Sequence, residues 1–283
     1  MSIAPSQHWL RDLLRRPFAA VGGGILLFSV LLALVAPILP LDDPAATDLA
    51  GRLQSPGSPG HWLGTDLLGR DILSRLIWGT RLSLAVAAAA TAIAAVCGSL
   101  IGLVAGYFGG KIDAFFMRSI DLLMALPYLL LALAIVATLG PGLLNALIAI
   151  AIVNIPFFAR AVRGSTVLLR SRQFVDASRV CGRPEVGILF RQVLPNVLPV
   201  IIITVATTLG WMILETAGLS FLGLGAQPPK ADLGSMLGEG RKLMLIAPHL
   251  ALLPGVVVFV LVMGLNLFAD GLRDVLDPRM SNK

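Results

Sequence analysis

Six long apolar stretches dominate this sequence. They lie at about residues 19–39, 82–106, 117–137, 143–159, 197–217 and 249–269. Each approaches the roughly 20 residues that an α-helix needs to cross a hydrocarbon layer about 30 Å thick. Because no water reaches the backbone inside a bilayer, each stretch must satisfy its own hydrogen bonds, as a helix does. The sequence therefore predicts an all-α membrane protein with six transmembrane helices.

The composition supports a single polytopic membrane domain. Hydrophobic residues make up 57% of the chain and charged residues 13%, whereas soluble domains have about 25% charged residues. The net charge of +6 comes from basic residues in loops beside apolar stretches. It therefore predicts contact with the lipid bilayer and no nucleic-acid partner. Cys97 and Cys181 are expected to remain free thiols.

The positions of the basic residues predict the orientation in the membrane. Fifteen fall in the terminal segments and in the loops 107–118 and 160–195, and seven fall in the alternate segments. Since Lys and Arg are enriched on the cytoplasmic side, both termini and the 160–195 loop are predicted to face the cytoplasm.

Changes between polar and apolar composition divide the chain. The predicted segments are a cytoplasmic interfacial segment with a short helix (1–18), a first transmembrane helix (19–39), a periplasmic segment (40–80), a transmembrane core (81–270) that includes a cytoplasmic loop (160–196), and a cytoplasmic tail (271–283). The periplasmic segment is predicted to close with a short helix at 65–79.

Charged residues outside the apolar stretches predict local pairs. The spacing i,i+4 joins Asp66 to Arg70 and Asp71 to Arg75. Such pairs stabilise an exposed helix by about 0.2–0.5 kcal/mol each, and the alternatives are contact with an external binding protein or shielding of the outer mouth of a membrane path. Asp121 is expected to pair with Arg118, one helical turn before it.

Small residues recur every four positions in the second apolar stretch, at Ala90, Ala94, Gly98, Gly102 and Gly106. This spacing lets two helix backbones approach closely in lipid. The stripe predicts either packing within this chain or an interface with a second membrane subunit. Pro127, Pro156 and Pro254 lie inside apolar stretches and are expected to kink their helices.

The 160–195 loop carries seven arginines and a helical pattern. Phe174, Ala177 and Val180 share one face, and a second face carries Asp176, Arg179 and Arg183. Gly182 is expected to end this helix, and Pro184 with Glu185 to start another. Two short helices that meet at a glycine predict a compact knob whose apolar side fits a cavity on another protein. The alternative is an interfacial helix that rests on lipid.

This loop resembles the EAA loop of ATP-binding-cassette importer permeases. Asp176-Ala177-Ser178, three residues, Gly182 and then Leu194-Pro195 follow that motif, with Asp in place of Glu and Ser in place of the second Ala. Further blocks are similar to the second permease subunit of dipeptide, oligopeptide and nickel importers. They lie at 61–66, 69–71, 106–110, 219–225 and 276–279.

The resemblance implies the type I importer permease fold and a non-catalytic subunit in the inner membrane of a bacterium. ATP and Mg²⁺ would be bound by two cytoplasmic ATPase partners, and this chain would hold no cofactor and no metal. The other implied partners are a homologous permease subunit and a periplasmic solute-binding protein. The solute would be a dipeptide or oligopeptide, with nickel, a metal chelate, an opine or glutathione as alternatives. A secondary transporter is the alternative of another class.

The resemblance also implies which residues dock the ATPases. They are Phe174, Asp176, Ala177, Ser178, Arg179, Gly182, Pro184, Glu185, Leu194 and Pro195. The chain lacks the Gly-x₄-Gly-Lys-Ser/Thr loop that binds nucleotide phosphates, since Ile112 follows Gly110-Lys111.

Four polar residues inside the apolar stretches are candidates for the solute path. They are Asn154, Thr207, Thr208 and Glu215. An acid at mid-bilayer costs about 2.5–3.5 kcal/mol to insert, so Glu215 is expected to face protein or water. It is either a buried structural acid or a path residue that recognises a peptide amine or a cation.

Overall fold

Helices joined by turns and two irregular segments form the chain in the computed structural model, which describes residues 13 and 15–276. The helices are α1 (Pro17–Val35), α2 (Ile72–Phe108), α3 (Gly110–Met124), α4 (Tyr128–Leu139), α5 (Leu143–Arg170), α6 (Gln173–Val180), α7 (Glu185–Ile188), α8 (Leu194–Phe221), α9 (Leu233–Arg241) and α10 (His249–Leu276). The side that carries the 171–184 turn is called the inner side here, and the opposite side is the outer side.

Five of these helical stretches are long and apolar enough to cross a membrane. They are α1, α2, α5, α10 and the stretch Glu185–Phe221, which joins α7 to α8. Large apolar side chains remain exposed on them, such as Phe28 (67%), Leu34 (65%) and Phe259 (63%). Exposed apolar surface of this extent fits a lipid-facing surface. The all-α membrane prediction is confirmed.

The third predicted span is broken rather than kinked. Helices α3 and α4 meet at an angle of 88° across residues 125–127. Pro127 lacks a backbone N–H, and the residue before a proline is disfavoured in the helical conformation, so the helix stops there. Pro156 and Pro254, in contrast, lie inside continuous helices.

The packing of α2 on α5 shows that the broken pair returns across the fold. Gly98 lies against Phe158 and Gly106 lies against Thr166, so the two helices run parallel. Because α2 ends on the inner side and α5 begins on the outer side, residues 109–142 must cross between them. The structure therefore agrees with six crossings when the bent pair counts as one.

The small-residue stripe lies at this contact. A Cβ added to Gly98 would stand 2.6 Å from the carbonyl oxygen of Ile155, which is too close for any side chain. Ala90 and Ala94 have no exposed surface. The prediction of packing within the chain is therefore confirmed, and the alternative interface with a second subunit is wrong for this stripe.

The short helix predicted at 65–79 is wrong over residues 65–71, and residues 72–79 belong to α2. Residues 65–71 form turns, and α2 begins at Ile72. Asp71 caps α2, because its side chain accepts a hydrogen bond from the Ser74 amide at 2.7 Å. Gly69 has φ +75° and lies against the Asp48 backbone, where any side chain would clash. The outer segment consequently ends at 71 rather than 80.

Other helix ends also differ from the prediction. Helix α5 continues to Arg170, so the first part of the predicted 160–196 loop is helical. Helix α10 extends to Leu276, and the rest of the predicted 271–283 tail lies outside the described residues, as does most of the 1–18 segment. Arg16 forms an ion pair with Asp274, which ties the start of α1 to the end of α10.

The outer charges form a buried network instead of pairs on an exposed helix. Arg70 and Arg75 both contact the carboxylate of Asp66, and both reach Glu239 at 3.0 Å. Arg75 is 2% exposed and does not pair with Asp71. The network joins the outer segment to α9, which is far away in sequence.

The prediction for Asp121 is also wrong. Its carboxylate pairs with Arg160 at 2.5 Å rather than with Arg118.

Replacing Arg75 by Ala should destabilise the protein by about 3–5 kcal/mol, because Asp66 would keep its buried charge with one cation fewer. Thermal unfolding in detergent measures the effect. Arg52→Ala is the matched control, since Arg52 is exposed and forms no ion pair among the described residues. Equal melting temperatures for the two variants would contradict the buried network.

Candidate functional site

The inner-side turn between α5 and α8 folds as two short helices that meet at a glycine. Helix α6 ends at Val180, and Gly182 follows with φ +73°, a conformation that favours glycine. The amides of Gly182 and Arg183 donate to the carbonyls of Arg179 (2.9 Å) and Ser178 (3.2 Å), which closes a Schellman motif. Pro184 then precedes α7. The predicted break at Gly182 and restart at Pro184 are both confirmed. Residues 171–193 are called the knob below.

Buried apolar side chains fix the knob to the ends of α2 and α5. Val175, Ile188 and Val193 have no exposed surface. They pack in one cluster with Leu103 of α2 and Val162 of α5. The knob is therefore a folded extension of the helix bundle, joined to the close contact between α2 and α5.

A polar clamp adds to this packing. The Tyr107 hydroxyl donates a hydrogen bond to the Glu185 carboxylate. Arg179 donates to the other Glu185 oxygen at 3.0 Å and to Asp176 at 3.2 Å. The hydrogen bond to Glu185 raises the pKa of the Arg179 guanidinium above its usual value, so this residue stays charged. The clamp joins α6, α7 and the inner end of α2.

A second hydrogen bond crosses the knob, from the Ser178 hydroxyl to the Gln192 side chain at 2.7 Å. Sequence reasoning missed the parts played by Tyr107 and Gln192. Tyr107 belongs to one of the blocks that carry the family resemblance, but no spacing rule connects it to Glu185.

Several large apolar side chains of the knob remain exposed in the part of the chain that the structure describes. Val180 is 89% exposed and Val186 59% exposed, and Phe174 and Phe190 are each about two-fifths exposed. The predicted docking residues Asp176, Ala177, Arg179, Gly182, Pro184, Glu185 and Pro195 are exposed as well, whereas Ser178 and Leu194 are half-buried. The fold thus brings the predicted docking residues together on the knob and on the first turn of α8.

The polar residues inside the helices fall into separate groups. Asn154 of α5 donates a hydrogen bond to Glu215 of α8 at 2.6 Å, and Trp211 donates to the other Glu215 oxygen at 2.7 Å. Thr208 is buried and donates to the Thr204 carbonyl within its own helix, and Thr207 is exposed. The structure therefore joins only two of the four predicted path residues.

Sequence reasoning missed the aromatic pair beside Glu215. The rings of Trp211 and Tyr128 lie 5.6 Å apart, and both side chains are 44% exposed. Tyr128 starts α4, immediately after the break in the third span. The break thus places an aromatic side chain against the residue that donates to Glu215.

Two family models match this chain. Residues 98–282 match the model described as "Binding-protein-dependent transport system inner membrane component". Residues 4–56 match the model described as "N-terminal TM domain of oligopeptide transport permease C".

Curated relatives cover nearly the whole chain. The dipeptide transport system permease protein DppC of Alkalihalophilus pseudofirmus is 44% identical over 99% of this chain and 92% of its own length. The glutathione transport system permease protein GsiD of Pectobacterium atrosepticum is 42% identical over 98% and 92%. The probable D,D-dipeptide transport system permease protein DdpC of Escherichia coli is 39% identical over 94% and 89%.

Among solved structures, an inward-facing conformation of the MetNI methionine ABC transporter is similar to this chain with a TM-score of 0.59. The match covers 72% of this chain and 97% of that one at 21% identity, so it shows a shared fold. The predicted importer permease fold is thereby confirmed.

Replacing Tyr107 by Phe should loosen the knob, because the ring remains while the donor to Glu185 is lost. We expect several-fold faster amide hydrogen exchange over residues 173–193, measured on the protein in nanodiscs. Tyr128→Phe is the matched control, since the Tyr128 hydroxyl forms no hydrogen bond within the described residues. Unchanged exchange in Tyr107→Phe would show that the clamp does not hold the knob.

Proposed function

Because the chain belongs to the family of inner membrane components of binding-protein-dependent transport systems, we propose that it is one permease subunit of a bacterial ATP-driven importer of dipeptides or oligopeptides. The relatives named for dipeptide and D,D-dipeptide transport support this class of solute. Glutathione, itself a small peptide derivative, is the second candidate, because a relative of similar identity is named for its transport.

The knob is the observation that carries the proposal. It combines an exposed apolar surface, a rigid glycine turn and a folded base, which together suit insertion into a cavity of a soluble partner. The proposed partner is a cytoplasmic ATPase that binds ATP and Mg²⁺. Phe174, Ala177 and Val180 would enter its cavity, while Asp176 and Arg179 would contact its rim.

The remaining predicted docking residues would shape the knob. Gly182 permits the turn, and Pro184 with Glu185 starts α7. Ser178 joins α6 to Gln192. Leu194 and Pro195 begin α8 directly after the π-helical turn Leu189–Val193. Movement of the knob would therefore pass into α8 without an intervening flexible loop.

The proposed mechanism is rigid-body rocking. When ATP closes a pair of ATPases, the two docked knobs would move together. Each knob is continuous with α8 and packs on the inner ends of α2 and α5, so its motion would tilt these helices and open the solute path between the two permease subunits to the outer side. ATP hydrolysis would then let the helices return to their first position. The chain would contribute gating and no covalent chemistry.

The proposal places this chain in the inner membrane with three kinds of partner. A homologous permease subunit would complete the pore, two ATPases would bind the two knobs, and a periplasmic binding protein would deliver the solute. Both termini and the knob would face the cytoplasm, in agreement with the basic residues of the knob. The family description, which refers to binding-protein-dependent transport, supports the last partner.

Replacing Val180 by Asp should release the ATPase, because a charge would enter an apolar cavity. We expect ATPase co-purification and solute-stimulated ATP hydrolysis to fall by about tenfold or more. Leu245→Asp is the control, because this side chain is fully exposed on the outer side. ATPase retention and hydrolysis that remain equal in both variants would refute docking at the knob.

We further propose that Glu215 and Asn154 lie beside the solute path and that Thr207 faces it. Trp211 shares a helical face with Thr207 and donates to Glu215, so it connects an exposed surface to a buried acid. Thr208 would support the same helix through its bond to the Thr204 carbonyl. A peptide amine could then be attracted toward the carboxylate while the aromatic rings contact its apolar part.

Replacing Glu215 by Gln should lower solute uptake by about tenfold, because the carboxylate that would attract the peptide amine is replaced by an amide of similar size. Uptake into proteoliposomes and the amount of assembled complex are measured together. Ser29→Ala, which removes a hydroxyl bonded within α1, is the control. Normal uptake, or a fall that only follows loss of complex, would mean that Glu215 is a structural acid.

A further inference from the structure

Three potential metal ligands converge on the outer side, although no motif in the sequence predicts a metal site. They are Asp42, His61 and Asp71, and one ligand atom from each lies within 4.8 Å of those of the others. They come from three separate places in the chain: the segment just after α1, the middle of the outer segment and the cap of α2. The solute path and the knob involve none of them.

The distances suit a shared ion. The Nδ1 atom of His61 lies 3.0 Å from an Asp71 carboxylate oxygen. Zinc bonds nitrogen and oxygen ligands at about 2.0–2.2 Å in a tetrahedral site, so two ligand atoms on one ion are about 3.3–3.6 Å apart, and the His61–Asp71 pair would widen slightly to hold it. Asp42 is exposed, so its side chain can rotate to complete the set.

The cluster carries two carboxylates and few cationic neighbours. Asp71 is 8% exposed, and among the described residues its only ion-pair partner is His61, which is charged only when protonated. Asp42 brings a second carboxylate and has no ion pair within the same part of the chain. Nearby Asp66, in contrast, has two arginines. Two carboxylates and one imidazole therefore offer oxygen and nitrogen ligand atoms to one cation.

The backbone around the cluster is held independently of any ion. The Ser74 hydroxyl donates to the Asp42 carbonyl at 2.6 Å, which fixes this residue beside the first turn of α2. The amide of Ile72 donates to the Gly64 carbonyl at 3.1 Å, which holds the chain after His61 against the same turn. The ligands are therefore brought together by the fold, as a preorganised metal site requires.

We propose that Asp42, His61 and Asp71 bind one divalent transition-metal ion of the zinc type. One imidazole and two carboxylates favour such an ion over Ca²⁺ or Mg²⁺, which prefer oxygen ligands alone. Solvent at the exposed side of the cluster would supply the remaining ligand. The ion would join the outer segment to the start of α2 and would not contact the proposed solute path.

Zinc titration of the full chain in nanodiscs tests this proposal. The chain contains three histidines, so it is purified without a polyhistidine tag and stripped with a chelator. We expect one Zn²⁺ per chain, measured by competition with a chromophoric chelator and by elemental analysis. The melting temperature should rise with Zn²⁺ concentration, because the ion binds the folded state.

Substitutions locate the ion. Asp42→Asn should weaken Zn²⁺ binding by about tenfold or more, and the double substitution Asp42→Asn/His61→Asn should abolish it. Asp71 is kept, because it also caps α2. Asp43→Asn is the matched control: this neighbouring acid loses the same charge and keeps its bond to the Ala45 amide.

Four results would overturn the proposal. The first is that no Zn²⁺ binds after chelator treatment and titration, and the second is that the double variant binds Zn²⁺ with unchanged affinity. The third is that the protein binds Ca²⁺ as tightly as Zn²⁺. The fourth is that acid raises the melting temperature while Zn²⁺ does not change it. The last would mean that a protonated His61 alone bridges the carboxylates. Because the readouts are metal content and melting temperature, they are independent of which solute the protein transports.

Discussion

The close packing of α2 against α5 is the contact on which the rest of the structure depends. Gly98, Gly102 and Gly106 let the two backbones approach, since a side chain at any of them would overlap α5. The parallel course of the two helices forces the intervening residues to cross back, which the broken α3–α4 pair does. The same contact ends on the inner side at Tyr107 and Val162, where it supports the knob.

The contact between α2 and α5 connects the knob mechanically to the helix bundle. The knob is held by apolar packing below and by the clamp of Tyr107, Arg179 and Glu185 at its side. A partner that moved the knob would therefore move three helices together instead of bending one loop. In the protein family to which this chain belongs, such a connection would convert the closing of ATPase partners into opening of the membrane path.

Periodic and compositional signals were enough to predict the spans and the knob. The six apolar stretches, the small-residue stripe and the glycine turn at Gly182 each depend on local chemistry that is visible in sequence. Contacts between distant segments were not predictable in this way. Arg75 has helical spacing to Asp71, yet it contacts Asp66 and Glu239, because the turns at Gly64 and Gly69 reorient the chain. The same holds for Glu185 with Tyr107 and for Trp211 with Tyr128.

The knob's own thiol provides the most direct test of the central claim that this surface docks an ATPase. Cys181 is exposed in the glycine turn, and Cys97, the other free cysteine, can be replaced by Ser. A short bifunctional thiol–amine reagent is applied to membranes that contain the complete transporter, and adducts are identified by mass spectrometry. The account predicts that Cys181 is joined to an ATPase subunit and that excess purified ATPase protects it from alkylation. Adducts with lipid or with the outer-side partner alone, and no protection, would contradict it.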